Sequence, residues 1–159
     1  MSRKICRDLE DQFTRACCMI RQSIATFDAK QWLNGLSDTI IPAKICYHLI
    51  ESLDFYSCGK VGKEFPWGSK FGGYWTELGR ESLPNQADMT AYLAEVEGRI
   101  QHILAQLDDE ALAEPFTLYD WSGQTIAGHY TYALRHIMHH HGALTALQEY
   151  HGITDEVWC

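Results

Sequence analysis

The sequence has no apolar run long enough to cross a bilayer, which takes about 20 consecutive apolar residues. Its first residues, MSRKICRDLEDQF, turn acidic and helical before the apolar core of a signal peptide could develop. Both absences argue against membrane attachment, and they predict a cytoplasmic protein.

Basic residues are also scarce, with 13 Lys and Arg against 21 Asp and Glu and a formal net charge of -8. The longest basic cluster is Arg3–Lys4. Non-specific nucleic-acid binding depends on clustered basic side chains that release counterions from phosphates. The composition therefore argues against a nucleic-acid partner.

None of the cysteines forms a C-x-x-C pair, so neither a zinc knuckle nor a thioredoxin-type motif is present. In a cytoplasmic protein the expected state is the reduced thiol, with several of these small side chains in the core. A disulfide framework is the less favoured alternative. The six residues are Cys6, Cys17, Cys18, Cys46, Cys58 and Cys159.

A chain of 159 residues with 46% apolar and 21% charged residues has the size and composition of one globular domain, here 1–159. Apolar residues at steps of three and four predict amphipathic helices. No strand pattern of comparable length is present. The predicted helices are residues 2–27, a second from Pro42 to a stop at Gly59, a third from an N-cap at Asp88 through Leu107, and a last one over 125–150 that ends at His151-Gly152.

The connections between these helices carry the remaining signals. Residues 59–87 have no helical period and are rich in glycine and aromatics, which favours a loop packed on its own side chains. Partial cover over a site is the alternative for so long a loop. Residues 108–124 are predicted to form a crossing connection between the third and the last helix, with a short strand-like stretch at 116–119. The sequence thus predicts an all-α four-helix bundle with a long connection between helices 2 and 3.

Two histidines of the last helix, His136 and His140, lie one turn apart on an apolar stripe that also carries His129. Such a pair can reach one metal ion at about 2.1 Å from each nitrogen. The intervening residues include no Glu, so the zinc-protease motif H-E-x-x-H is excluded. His139 and His141 fall on opposite flanks and cannot join the same ion.

A third ligand is predicted at His48, which lies in the apolar stripe of the second helix between Ile45 and Ser52. A buried imidazole there is costly unless its nitrogens are bonded or ligated. Three neutral imidazoles with an open fourth position suit one divalent ion, with Zn²⁺ favoured over Ni²⁺ or Fe²⁺.

Two simpler interpretations stand beside this one. His48 alone would more often be a hydrogen-bonded core residue than a ligand. His139 and His141 could form a surface patch that picks up metal adventitiously. For His102, His129 and His151 the default is a solvent-facing or locally hydrogen-bonded role.

Two segments resemble the DinB-like proteins (the DinB/YfiT superfamily): IPAKICYHLIESLDFY around His48, and HIMHHHGAL in the last helix. The resemblance implies a four-helix bundle with up-down-down-up connections. It also implies a metal site of one histidine from helix 2 and two from helix 4, which match His48, His136 and His140. Many members carry Gln where this chain has Ala143, so any role of that Gln is absent here.

The resembled superfamily includes metal-dependent hydrolases, enzymes that transfer low-molecular-weight thiols to electrophiles, and members without known activity. The first hypothesis is therefore a metal-dependent enzyme that acts on a small thiol or electrophile, with Glu51 and Tyr132 as candidate proton-handling groups. The simpler roles for these two are an exposed Glu and a core-packing Tyr. Bundles of this type often pair through their outer faces, so a homodimer is expected.

Two other functions remain open. The chain could be a non-catalytic, metal-stabilised bundle whose aromatic loop, with Trp67, Phe71, Tyr74 and Trp75, contacts a ligand or partner. Thiol sensing through Cys17-Cys18 or Cys46 ranks last, since vicinal cysteines bridge each other only with strain.

Overall fold

The computed structural model describes residues 2–154 and 158–159. Within these residues it is all-α, as predicted, and its only β-type pairing is an isolated bridge between Pro115 and Thr125. The helices are α1 (Lys4–Thr26), α2 (Ala29–Trp32), α3 (Pro42–Ser57), α4 (Gln86–Ala105), α5 (Asp109–Ala113) and α6 (Ile126–Tyr150), with short 3₁₀ helices at Ser69–Phe71 and Arg80–Ser82.

The four long helices α1, α3, α4 and α6 form a bundle around one apolar core. Both α1 and α3 pack against α4 and α6, so α1 and α3 lie diagonally opposite each other. Each contributes an apolar stripe to the centre, where Phe13, Ile20, Leu49, Leu93 and Leu144 are fully or almost fully buried.

Contacts along the helices fix their directions. Arg3 donates to the carbonyl of Leu107, and Gln86 donates to the carbonyl of Phe27, so α1 and α4 are antiparallel. Phe13 packs against Tyr130 near the beginning of α6. Ser23 pairs with His141 further along, so α1 and α6 are parallel.

The remaining helix, α3, runs opposite to α6. Its His48 contacts His140, and its Tyr56, two turns later, contacts His129. The four long helices therefore follow the up-down-down-up order that the resemblance implies. The consecutive helices α3 and α4 point the same way, so the chain must return along the bundle between them. For a helix of 16 residues that return is about 24 Å.

The connection between α3 and α4 makes this return along α3 itself. Three α3 side chains hold its backbone in succession: Lys44 Nζ donates to the Thr76 carbonyl at 3.3 Å, Tyr47 Oη donates to the Gly73 carbonyl at 3.1 Å, and Glu51 Oε1 accepts from the Gly68 amide at 2.6 Å. Later residues of α3 contact earlier residues of the connection, so the connection runs antiparallel to α3. The segment is therefore a packed loop, anchored on one face of α3.

Several predicted helix ends are confirmed. Helix α3 begins at Pro42, and Gly59, just past its end, has a φ of 69° in the left-handed region that favours glycine. Thr125 caps α6 by accepting from the Gly128 amide. The predicted N-cap at Asp88 is wrong: Asn85 is the cap, and its side chain accepts from the Asp88 amide.

The connection between α1 and α3 and the connection between α4 and α6 each contain a short helix that the sequence patterns did not predict. Helix α2 begins with a capping box between Asp28 and Gln31, and α5 is capped by Asp108. The strand-like stretch predicted at 116–119 is wrong, since those residues form no strand. Helix α5 also places Asp109 at the beginning of α1, where its carboxylate accepts from three backbone amides.

The expectation that all cysteines are reduced is wrong for two of them, because Cys18 and Cys159 form a disulfide. Burial raises the pKa of the Cys17 thiol to about 12 and also raises that of Cys46. Neither buried thiol suits a sensor, which needs an exposed thiolate. In the part of the chain that the structure describes, no helix is long and apolar enough to cross a membrane.

We expect native alkylation with iodoacetamide to modify Cys58 first, because it is the only free cysteine among the described residues that is partly exposed. Cys18 and Cys159 should react only after reduction, and Cys17 and Cys46 only after unfolding. Peptide mass mapping with and without reductant measures this order. Rapid native labelling of Cys18 without reductant would contradict the assigned disulfide.

Candidate metal centre

The antiparallel pairing of α3 and α6 brings the three predicted histidines together. One nitrogen from each of His48, His136 and His140 lies within 4.8 Å of the others. The ring centroids are 4.5 Å apart for His48 and His140, 4.7 Å for His136 and His140, and 5.6 Å for His48 and His136. The one-turn spacing of His136 and His140 supplies two rings on one side, and α3 supplies the third from across the helix pair.

Two nitrogens of this cluster are buried without a hydrogen-bond partner among the described residues. His48 Nδ1 and His136 Nε2 are buried and unpaired among the described residues. A buried polar atom without a partner is unusual and costs about 1–3 kcal/mol. The interpretation of His48 as a hydrogen-bonded core residue therefore does not fit the structure.

The same protein does satisfy its other buried imidazoles. His129 pairs through Nδ1 with Ser122 Oγ at 3.0 Å, and its Nε2 donates to the Tyr56 carbonyl at 2.9 Å. Because a carbonyl only accepts, His129 Nε2 carries the proton. His141 pairs with Ser23 Oγ at 3.0 Å. Among the described residues, the buried imidazole nitrogens without a partner are thus those of His48 and His136, and the one other such nitrogen is Nε1 of Trp75, which packs on His48.

The cluster favours neutral rings, which is the form that binds metals. Burial, followed by the charge of His136, lowers the pKa of His48 to about 4. Burial and the neighbouring His48, His136 and His139 lower the pKa of His140 to about 3. The pKa of His136 is lowered too, mainly by burial. At neutral pH all three rings therefore offer lone pairs without first losing a proton.

Aromatic side chains surround the cluster on two sides. Trp75, from the connection that returns along α3, packs on His48 with centroids 4.8 Å apart. Tyr56 contacts His136 edge-on at 5.4 Å, and Tyr132 stacks on it at 6.1 Å. Each histidine of the cluster remains partly exposed. The packed connection is thus also the partial cover that was the alternative prediction for this loop.

The two residues proposed for proton handling have different positions. Glu51 is 1% exposed, so the prediction of a solvent-facing Glu is wrong. Its Oε1 accepts from the Gly68 amide, its Oε2 has no hydrogen-bond partner among the described residues, and burial raises its pKa. Glu51 therefore anchors the covering loop. Tyr132, by contrast, lies directly against His136.

The other predicted surface features are only partly present. His139 is exposed but His141 is buried, so a surface patch of both is wrong. In the aromatic loop, Phe71 packs against Tyr47 and Tyr92, and Trp67, with 37% exposure, contacts Phe55 and Phe65. The loop aromatics thus mainly complete the core.

The buried partners of His129 and His141 were missed at the sequence level. Their partners Ser122 and Ser23 lie on another connection and another helix. No local spacing signals such pairs. An apolar stripe that includes a histidine is the only warning, and it does not distinguish a ligand from a hydrogen-bonded core residue.

The donor set fits a divalent transition metal. Three imidazole nitrogens suit Zn²⁺, Ni²⁺ or Fe²⁺, and the two orphaned nitrogens would gain partners by ligation. Among the described residues the cluster contains three metal-binding side chains and no fourth. An ion held by them would keep a coordination position for water or another small ligand.

Residues 41–144 match the model of the DinB superfamily. The chain belongs to the DinB superfamily. The matched span contains His48, His136 and His140, together with the covering loop between α3 and α4. No curated protein and no solved structure matches the chain.

We expect purified, untagged DinB-like protein to contain about one divalent ion per chain, and His48→Ala or His136→Ala to abolish its retention. Free zinc at about 1,000 times its Kd should raise the free energy of unfolding by about 4 kcal/mol in the wild type. Elemental analysis and denaturant titration measure the two effects. His139→Ala is the matched control, because His139 neighbours His140 but lies outside the cluster. Equal metal in all variants would show that binding is adventitious.

A second prediction concerns the metal-free protein at acidic pH. Burial lowers the pKa of His129 and His141 below the ordinary 6.5. The unfolded chain therefore takes up protons near pH 6.5 while the folded chain does not, and stability falls as the pH drops below that value. Each such proton contributes a slope of up to about 1.4 kcal/mol per pH unit.

Urea titrations at a series of pH values between 7 and 5 measure this slope. His141→Gln should make it shallower by up to one proton, because the variant lacks one titrating group. His102→Gln on the exposed side of α4 serves as the control. A slope unchanged by His141→Gln would contradict the assignment.

Proposed function

We propose that this chain is a metal-dependent enzyme of the hydrolase or low-molecular-weight-thiol transferase type. Zn²⁺ is the favoured ion, with Ni²⁺ and Fe²⁺ as alternatives, and His48, His136 and His140 are its ligands. The observation that carries the proposal is the cluster itself, with three neutral, partly exposed imidazoles, two of them with orphaned nitrogens, and no fourth protein ligand among the described residues. A structural zinc site normally has four protein ligands.

The bound ion would supply Lewis acidity, which lowers the pKa of a bound water or holds a thiolate for attack on an electrophile. The chain's own residues keep the ligands neutral and limit the access of water. His48 and His140 stay neutral at physiological pH because burial and mutual repulsion lower their pKa values. Trp75 covers His48 and keeps bulk water from that side of the cluster.

Two phenols lie beside His136 and can serve the reaction as donors. The rings of Tyr56 and Tyr132 are 5.6 Å apart, and burial raises the pKa of Tyr56, so its hydroxyl stays protonated. A protonated phenol can donate a hydrogen bond to an oxygen or sulfur that gains negative charge. Tyr132, which is less buried and stacks on His136, is the better placed of the two to meet a substrate.

The non-catalytic alternative, a metal-stabilised binding module, requires a closed metal shell and a free aromatic surface. A cluster of three ligands does not support a closed metal shell. The free aromatic surface is reduced because Phe71 and Trp75 are half-buried against Tyr47 and His48. Both alternatives place metal at the same histidines. They differ in whether an outside ligand can reach the ion.

We expect cobalt-loaded protein to change its visible spectrum when azide or a small thiol is added, because an open position exchanges its water. The same preparations, loaded with zinc, nickel or iron, should catalyse thiol transfer to a chromogenic aryl halide or hydrolysis of a chromogenic ester. Tyr132→Phe should lower kcat about 100-fold while metal content stays unchanged. Tyr150→Phe, on the exposed end of α6, is the control.

If neither azide nor thiol changes the cobalt spectrum, the enzymatic proposal is wrong and the non-catalytic alternative is favoured. If the spectrum changes but neither type of substrate is turned over, the metal site has an exchangeable position and the two proposed reactions are wrong.

A further inference from the structure

Arg135 lies beside the candidate metal centre. It directly precedes His136 on α6, and its guanidinium carbon is 4.9 Å from the centroid of the Tyr132 ring. That ring in turn stacks on His136. The charge of Arg135 also contributes to the lowered pKa of His136, as expected for a cation close to the ring. The side chain is exposed and can therefore meet a ligand.

Arg135 also lacks a carboxylate partner. No ion pair within 4.0 Å joins it to another residue that the structure describes, whereas most arginines of the chain are paired. Those in ion pairs are Arg3, Arg15, Arg21, Arg80 and Arg99. Arg7 is the other arginine without such a pair among the described residues, but it lies on α1, away from the three histidines. A divalent ion on the neighbouring histidines would add further positive charge, which favours an anionic ligand.

A flat apolar surface lies next to this charge. Trp121 is 51% exposed, and its indole packs on Tyr132 with centroids 5.2 Å apart and on Tyr56 at 6.1 Å. These are the phenols that line His136. Exposed aromatic rings in contact with a site are suited to stack on a planar ligand. The same ring system, formed by Trp121 and Tyr132, thus links the cation to the histidines.

We propose that the substrate of this centre is a small organic carboxylate with a flat, aromatic body. Its carboxylate pairs with Arg135, its ring packs against Trp121 and Tyr132, and its reactive group faces His48, His136 and His140. This inference rests on the proposed metal-dependent function, and it adds the substrate class. A charge-assisted hydrogen bond to a guanidinium contributes about 1.5–3 kcal/mol, which corresponds to roughly 10- to 100-fold in Kd.

The test measures binding to the cobalt-loaded protein by its visible spectrum, so no turnover is needed. The probes are benzohydroxamate, which ligates the metal and carries the ring, and its meta- and para-carboxylated forms. We expect at least one carboxylated form to bind about 10-fold or more tightly than benzohydroxamate. Arg135→Gln should remove this difference by weakening the carboxylated form about 10-fold more than it weakens benzohydroxamate.

Two further variants separate local from general effects. Arg7→Gln removes the same charge from an exposed arginine of α1 and should preserve the preference for the carboxylate. Trp121→Ala should weaken all three hydroxamates by a similar factor, because it removes the ring contact and spares the guanidinium.

The outcomes are distinguishable. If no hydroxamate changes the cobalt spectrum, the open metal site fails and the proposed function fails with it. If all three bind equally, or if Arg135→Gln and Arg7→Gln weaken the carboxylated probes alike, the metal site stands and the assigned substrate class is wrong.

Discussion

The buried imidazole nitrogens between α3 and α6 are the constraint that the surrounding structure has to satisfy. His48 Nδ1 and His136 Nε2 are buried and have no hydrogen-bond partner among the described residues. Protonation would not relieve this, because three cations with ring centroids about 4.5–5.6 Å apart would repel one another in a poorly solvated place. A divalent ion ligated by the three rings would give the unpaired nitrogens a partner without adding a proton. The contrast with His129 and His141, whose nitrogens do find partners, shows that the fold can satisfy a buried histidine by hydrogen bonding.

The cover over this cluster follows from the topology. Because α3 and α4 are parallel and consecutive, the chain between them must return over the length of the bundle, and it does so along α3. Lys44, Tyr47 and Glu51 hold the backbone of that return segment, which brings Trp75 onto His48. A long connection here is therefore required by the helix order, and its position beside the histidines makes it part of the site. The buried Glu51 belongs to this structural role.

Much of the fold was predictable because the four long helices have strong periodicity and clear stops, such as Pro42, Gly59 and Gly152. The short helices α2 and α5 span too few residues for a periodic signal, and only their capping residues Asp28 and Asp108 indicate them. The third helix was predicted to begin at Asp88 because Asp is a good cap, but Asn85 is an equally good one and comes first.

The sequence predicted which histidines cluster, but it did not predict which side chains surround them. Helical spacing places His136 and His140 together, and the apolar stripe of α3 singles out His48. The contacts of Trp75 with His48 and of Trp121 with Tyr132 join different segments of the chain, for which no local pattern exists. Arg135 contacts Tyr132 one turn away on the same helix, but the spacing does not show that the cation lacks an acidic partner. The same holds for the Cys18–Cys159 bond, which spans 141 residues.

Anomalous diffraction at the zinc edge from crystals of the zinc-loaded protein shows directly whether the three histidines bind the ion. We expect one strong peak, at about 2.0–2.1 Å from one nitrogen of each of His48, His136 and His140, with water as the remaining ligand. A peak at exposed His139 instead, or a shell closed by a fourth protein side chain, would contradict this assignment.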